Sequence, residues 1–281
     1  MEPALFLASL IFYALAAAAA YLYLFSRSQR WSVLTLHLLG AGLALHLASF
    51  LLRLRVFWVF PENRYLLPVH GAFGALSALA LALAVTFFLV ERTRRLGILG
   101  AFVLPWIVLF SGAAALAKPA LAPLPPELRS PWMNLHPVLL TAAYAVFTNA
   151  FGVGLALLVE DRQLKSRAPA QFCYGLPSLD ELDRLHRRIT AAGLALLLAG
   201  IFMGAMWARR AWTAPWGWDA KLLGAYATAA WYAAYLYMHA ARGWRGRRGV
   251  CLAMCGFATL VLTFLGGDFM SRLHGYVFRG G

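Results

Sequence analysis

Long apolar runs separated by short polar breaks fill the chain from one end to the other. Eight are continuous enough to predict spanning helices, at 4–25, 32–52, 68–90, 96–117, 136–159, 189–208, 220–240 and 250–268. At about 1.5 Å per residue, runs of roughly 20 residues cross a hydrocarbon layer ~30 Å thick. Lipid offers no partner to a bare amide or carbonyl, so each run must satisfy its own backbone, which selects helices. The expected fold class is all-α: a polytopic membrane helix bundle of about eight transmembrane helices, forming a single integral membrane domain over residues 1–281. The first run, Leu5 to Leu24, has no basic leader before it and reads as a retained span rather than a cleaved signal.

Composition sharpens this picture. Of the residues, 62% are hydrophobic and 13% charged, against about 25% charged in soluble domains. A packed core cannot use that much apolar surface, so membrane lipid is the expected surrounding. A basic excess of 25 Lys and Arg over 11 Asp and Glu would suggest nucleic acid in a soluble protein. Here the basic residues sit in clusters between spans, with no continuous basic face, and no nucleic-acid partner is expected. The breaks at 27–30, 92–95, 162–188 and 242–248 hold 15 Lys and Arg, and those at 53–64, 118–129, 209–221 and 272–279 hold 10. The positive-inside rule makes the first set cytoplasmic and puts both termini outside.

Two breaks carry local structure. In the inner stretch 160–188, Ser178 can cap a helix whose first turn holds Asp180 and Glu181. Leu179, Leu182 and Leu185 then form an interfacial stripe leading into span six. The outer stretch 118–135, with Pro119, Pro123, Pro125, Pro126 and Pro131, reads as a rigid connector. Cys173, Cys251 and Cys255 include no CxxC pair and read as small packing residues.

Candidate chemistry rests on histidine and tryptophan. His70, His136 and His274 fall at the outer ends of spans, and His239 falls at the inner end of span seven. His37 and His46 lie within span two, where an imidazole is either functional or a helix-to-helix hydrogen-bonding group. His186, between Leu185 and Arg187, reads as a solvated loop residue. Between spans six and seven stand Trp207, Arg209, Arg210, Trp212, Trp216, Trp218 and Asp219. An interfacial belt accounts for one or two tryptophans, not for four within twelve positions. Such a cluster offers a broad π surface for a flat apolar ligand, with guanidinium groups for its carboxylates. Asp219 is expected to N-cap span seven. A flat dianionic ligand near outer histidines suggests haem, whose iron commonly takes axial imidazoles.

At these residues the chain resembles the cytochrome c assembly proteins of the CcsA, CcmC and HemX type. The likeness is carried by Trp216-Gly217-Trp218-Asp219-Ala220-Lys221 and by Tyr235-Leu236-Tyr237-Met238-His239. Gly243 to Arg248, Thr263 to Gly266 and Leu273-His274-Gly275-Tyr276 extend it. Leu176 to Arg184 and Gly204 to Ala208 add to it, and it is clearest over residues 130–281. The resemblance implies that His136 and His274 are axial ligands to non-covalent, transient b-type haem on the outer side. His239 would join an inner haem site, with His37 a candidate partner in cis. Trp207, Trp212, Trp216 and Trp218 would form the haem platform, and Arg209 and Arg210 would meet the propionates. The implied function is haem handling or delivery for cytochrome c maturation from the cell (inner or plasma) membrane. The implied partners are a membrane protein of the cytochrome c synthesis system and apocytochrome c. Together they leave open whether the chain forms part of a cytochrome c synthase (haem lyase). The family's Trp-Asp-Pro-Lys-Glu stands here as Trp218-Asp219-Ala220-Lys221-Leu222, closer to the HemX branch. That branch offers the alternative of a non-enzymatic membrane regulator of haem biosynthesis or an assembly factor.

Overall fold

The computed structural model describes residues 1–94, 97–118, 121, 123–124, 129–130, 132–166, 176–211 and 219–270. Among them are eight α-helices: α1 (Glu2–Ser26), α2 (Gln29–Phe57), α3 (Gly71–Arg94), α4 (Gly100–Leu116), α5 (Trp132–Leu164), α6 (Leu179–Ala211), α7 (Ala220–Ala241) and α8 (Arg247–Met270). Single 3-10 turns at Pro61–Asn63 and Gly97–Leu99 precede α3 and α4. No strand occurs among the described residues. Seven helices are long and apolar enough to cross a membrane, and α7 is the one that falls short. At 22 residues its length suffices, but Tyr226, Trp231, Tyr232, Tyr235 and Tyr237 dilute its apolar character.

Successive helices run antiparallel, and the pairings follow from small residues that admit large ones. On α6, the Cα positions of Gly193, Gly200 and Gly204 face Phe147, Leu140 and His136 of α5. The descending numbers on α5 against ascending numbers on α6 define an antiparallel seam. The α7–α8 pair has the same design, with Gly224 against Thr263 and Gly256 against Trp231 and Tyr232. In lipid there is no hydrophobic drive between helices, so close backbone approach and the dispersion contacts it permits hold such pairs together. Phe147 of α5 stacks on Tyr232 of α7 at 3.8 Å and 3°, which ties the two hairpins into one core.

The α1–α2–α3 side is fastened by polar groups. His46 of α2 is fully buried, its Nδ1 3.3 Å from the Tyr13 hydroxyl and its Nε2 3.0 Å from Ser77 Oγ. Its role is thus the helix-to-helix one. Near the outer end, α2 continues to Phe57, five residues beyond the expected stop at 52, because Arg53 is accommodated inside. Arg53 lies 3.6 Å from the Glu2 carboxylate and 4.4 Å above the Phe73 ring, a pairing that makes a buried guanidinium tolerable.

The alternation of hairpins gives two ends, here named outer and inner after the expected charge asymmetry. The outer end collects the start of α1, α3, α5 and α7 and the end of α2, α4, α6 and α8. A methyl group added at Gly193 would lie 2.7 Å from the Phe147 ring. Gly193→Ala is therefore expected to destabilise the bundle by about 1–3 kcal/mol through over-packing, read as a lower melting temperature in detergent. An unchanged melting temperature would contradict the tight α5–α6 seam.

Candidate functional site

The outer end is built on a small apolar floor. Phe57, Leu66, Leu124 and Trp207 are all buried together, with Leu121 packed against them. Two asparagines hold the connecting segments over this floor. Asn63 Oδ1 accepts from the Leu124 amide at 2.8 Å. Asn134 of α5 accepts from the Leu67 amide at 2.9 Å and donates to the Tyr65 carbonyl at 2.7 Å. The Trp58 indole N–H donates to the Leu66 carbonyl at 2.8 Å. These four backbone groups thus have side-chain partners.

His136 sits in the second turn of α5, next to Pro137, which has no N–H to donate to the preceding turn. Its Nδ1 lies 2.8 Å from the Gly200 carbonyl on α6. A carbonyl only accepts, so Nδ1 carries the hydrogen, and the neutral ring keeps its lone pair on Nε2. That arrangement, one ring N–H held by the backbone and the other nitrogen basic, is how proteins orient a metal-binding imidazole. Gly204 makes room for the ring: a Cβ there would lie 2.6 Å from His136 Cε1. The chemistry of this donor and the space reserved for it fit an axial ligand to haem iron.

Trp207 is 7% exposed and belongs to the floor rather than to an open shelf. Asp219 is buried and caps α7 as expected, its Oδ1 accepting from the Lys221 amide at 3.0 Å and the Leu222 amide at 3.3 Å. Arg209 and Arg210 lie in the last turn of α6, with side chains outside the described residues. Trp212, Trp216, Trp218 and His274 also lie outside the described residues. His70 directly precedes α3, and burial pushes its imidazole down to about 4, so it is neutral at physiological pH.

The inner end holds a second polar cluster, shared by α6 and α7. Here one expectation fails: His186 is no solvated loop residue. It is 2% exposed within α6, and its Nδ1 is 2.8 Å from the Tyr235 hydroxyl on α7. The helix starts at Leu179, ten residues before the expected apolar span, and its inward face is Leu182, Asp183, His186 and Thr190. That spacing of 1, 3 and 4 was present in the sequence, but Arg184, Arg187 and Arg188 between them masked it. For the same reason Leu182 faces the protein core, where a membrane interface was expected. One turn further along α7, His239 Nε2 lies 2.8 Å from Asp183 Oδ2, and the Gly246 amide donates to Asp183 Oδ1 at 2.9 Å. Asp183 and Tyr235 are not candidate site residues from the sequence, since a single acid in a basic loop and a tyrosine in an aromatic span have no distinctive pattern.

His37 is exposed on α2, where its Nδ1 donates to the Val33 carbonyl at 2.7 Å. Helix α2 packs against α1 and α3, whereas α7 packs against α6 and α8, so His37 and His239 sit on different sides of the bundle. A cavity of about 10 Å³ lies between α5, α7 and α8 beside His186, lined by Gly154, Tyr232 and Phe257. It has room for roughly one water. Among the described residues no three His, Cys, Asp or Glu side chains converge to hold a bare metal ion.

Comparison with known proteins places this architecture. The family described as Cytochrome C assembly protein matches residues 66–274. The Cytochrome c biogenesis protein CcsA of Synechococcus sp. (strain CC9902) is 32% identical over 235 residues, covering 74% of this chain and 77% of its own length. The protein of the same name from Heterosigma akashiwo (strain NIES-293 / 8280G21-1) is 29% identical over 252 residues, covering 77% and 78%. Among solved structures, Cytochrome c Heme Lyase CcmF superposes with a TM-score of 0.75 at 19% identity, a likeness of fold. The match takes in 97% of this chain and 47% of that one, so this chain spans about half of CcmF.

The inner cluster yields a direct test. Tyr235→Phe removes the hydroxyl that partners buried His186, and leaving that nitrogen unsatisfied should cost about 1–3 kcal/mol. Denaturation of the detergent-purified protein measures the loss, and full stability in the variant would mean that the pair contributes little.

Proposed function

The chain belongs to the cytochrome c assembly protein family, and from that membership we propose that it binds haem at its outer end for cytochrome c maturation. The observation that carries the reading is His136, with Nδ1–H fixed on the Gly200 carbonyl and the ring seated over Gly204. His274, inside the stretch matched by the family, is the proposed second axial ligand. Trp212, Trp216 and Trp218 would form the face on which the macrocycle rests, with Trp207 anchoring the segment from below. Arg209 and Arg210, at the end of α6, would meet the propionates as charge-assisted pairs. Asp219 would act indirectly, by fixing the start of α7 where the tryptophan segment ends. His239 is the proposed ligand of an inner site.

The chemistry that haem supplies, when bound, is its vinyl edge, which the thiols of an apocytochrome CxxCH segment would reach from the outer face. The chain's own residues would orient and present. His136 holds a fixed tautomer, and the floor beneath the outer segments keeps water from below. A multi-pass position in the cell (inner or plasma) membrane follows from this reading, as does a membrane partner of the cytochrome c synthesis system. Relatives named for cytochrome c biogenesis favour it over a regulator of haem biosynthesis.

Two measurements test it. The purified chain should carry a Soret band that His136→Ala combined with His274→Ala removes; retention of normal haem by that double variant would refute the outer site. Gly204→Ala should weaken haem binding about 10–100-fold, the usual effect of disturbing a group that orients a ligating histidine. In a deletion strain, loss of covalent c-type haem with normal total haem is expected. Intact c-type cytochromes with altered haem-synthesis enzymes would instead favour the regulator.

A further inference from the structure

The inner cluster contains a conflict that the proposed function does not resolve. His239 is engaged at Nε2 by Asp183 Oδ2 at 2.8 Å, with both side chains only 10% exposed. An ionised carboxylate only accepts, so Nε2 carries the hydrogen and the lone pair of the neutral ring lies on Nδ1. Nδ1 is bonded to the ring carbon that joins the side-chain methylene, and it therefore sits close to the backbone of α7. A small ion can be met there. A macrocycle centred on it would run into the helix that carries the histidine, so the nitrogen that haem iron needs is Nε2, the one Asp183 occupies.

The surroundings keep that carboxylate in place and give it somewhere to remain. Its other oxygen, Oδ1, accepts from the Gly246 amide at 2.9 Å in the α7–α8 turn. Gly246 has φ +60 and Gly243 has φ +64, left-handed values that favour glycine, so the turn is shaped to bring that amide to α6. If Oδ2 gives up His239, Asp183 stays partnered through Oδ1 and is not stranded. His186 and Tyr235, one turn deeper, pair with each other and leave Asp183 with no rival for His239 on that side.

We propose that Asp183 gates the inner site: it competes with haem iron for Nε2 of His239, and the inner site fills only when that contact opens. This rests on His239 being an inner haem ligand. It makes Asp183 a positioning residue that acts through His239, distinct from the ligands themselves.

The test uses the detergent-purified full-length chain carrying His136→Ala and His274→Ala, so that the outer site is silent, titrated with ferric haem and followed by its Soret absorbance. Asp183→Asn is then added. An asparagine oxygen can still accept from the Gly246 amide, while its NH2 group cannot accept from the imidazole N–H. Haem binding should tighten about tenfold or more, the size expected from releasing one charge-assisted hydrogen bond, and further addition of His239→Ala should abolish the gain. Binding that is unchanged or weaker in Asp183→Asn overturns the gate. A gain that survives His239→Ala overturns the inner-ligand reading itself. A second measurement needs neither haem nor substitution at Asp183: 15N spectra of the haem-free parent chain should place the His239 hydrogen on Nε2. Finding it on Nδ1 would overturn the gate directly.

Discussion

Helices in lipid gain nothing from hiding apolar surface from one another, so they stay together only where their surfaces fit closely. In this bundle that requirement falls on the seam between α5 and α6, where Gly193, Gly200 and Gly204 receive Phe147, Leu140 and His136. The candidate chemistry of the outer end is fixed to this seam. At the outer end, backbone proximity is what allows the Gly200 carbonyl, already part of a helix, to lend its second lone pair to His136. Toward the inner end, Gly154 of α5 leaves room for the ring of His186. A wider separation between α5 and α6 would break the His136–Gly200 contact without changing either residue.

Helix α7 shows how the fold handles a span that is apolar only in part. Its tyrosines are costly in hydrocarbon unless their hydroxyls are matched or reach the interface. Tyr235 is matched by His186, and the Tyr232 ring is stacked on Phe147 inside the core. Tyr226, Trp231 and Tyr237 remain exposed. The polarity that lowers the helix's apolar character is therefore divided: one side is consumed by packing against α5 and α6, and the other faces outward.

The fold was readable from the sequence because its signal is length. An apolar run of about 20 residues has few alternatives to a spanning helix, and each of the eight runs corresponds to one helix of the structure, six lying wholly inside it while 68–90 starts three residues before α3 and 96–117 overruns α4 at both ends. Helix ends were less readable, for a physical reason. A helix continues past the hydrocarbon boundary wherever side chains can still be paired, as Arg53 is with Glu2. Span detection stops at the first charges, so it cut α6 short by ten residues and placed Asp183 and His186 in a loop. His136 was legible because it stands at the edge of an apolar run, and Asp219 because an acid just before a helix has a specific job. The Asp183–His239 contact was not legible. It joins residues 56 positions apart, and only the antiparallel packing of α6 and α7 brings them to one level.

The two ends of the molecule hold histidine in opposite states of readiness. At His136 the backbone takes the hydrogen on Nδ1, which puts the lone pair of the neutral ring on Nε2. At His239 a carboxylate takes the hydrogen on Nε2, and the basic nitrogen is turned toward its own helix. A neutral carbonyl and a carboxylate also differ in strength as acceptors, since charge-assisted bonds are roughly twice as strong. The imidazole of His136 is thus held by the weaker kind of bond and that of His239 by the stronger. Two histidines of one bundle, each set by what one of its nitrogens touches, thus differ in which nitrogen carries the hydrogen.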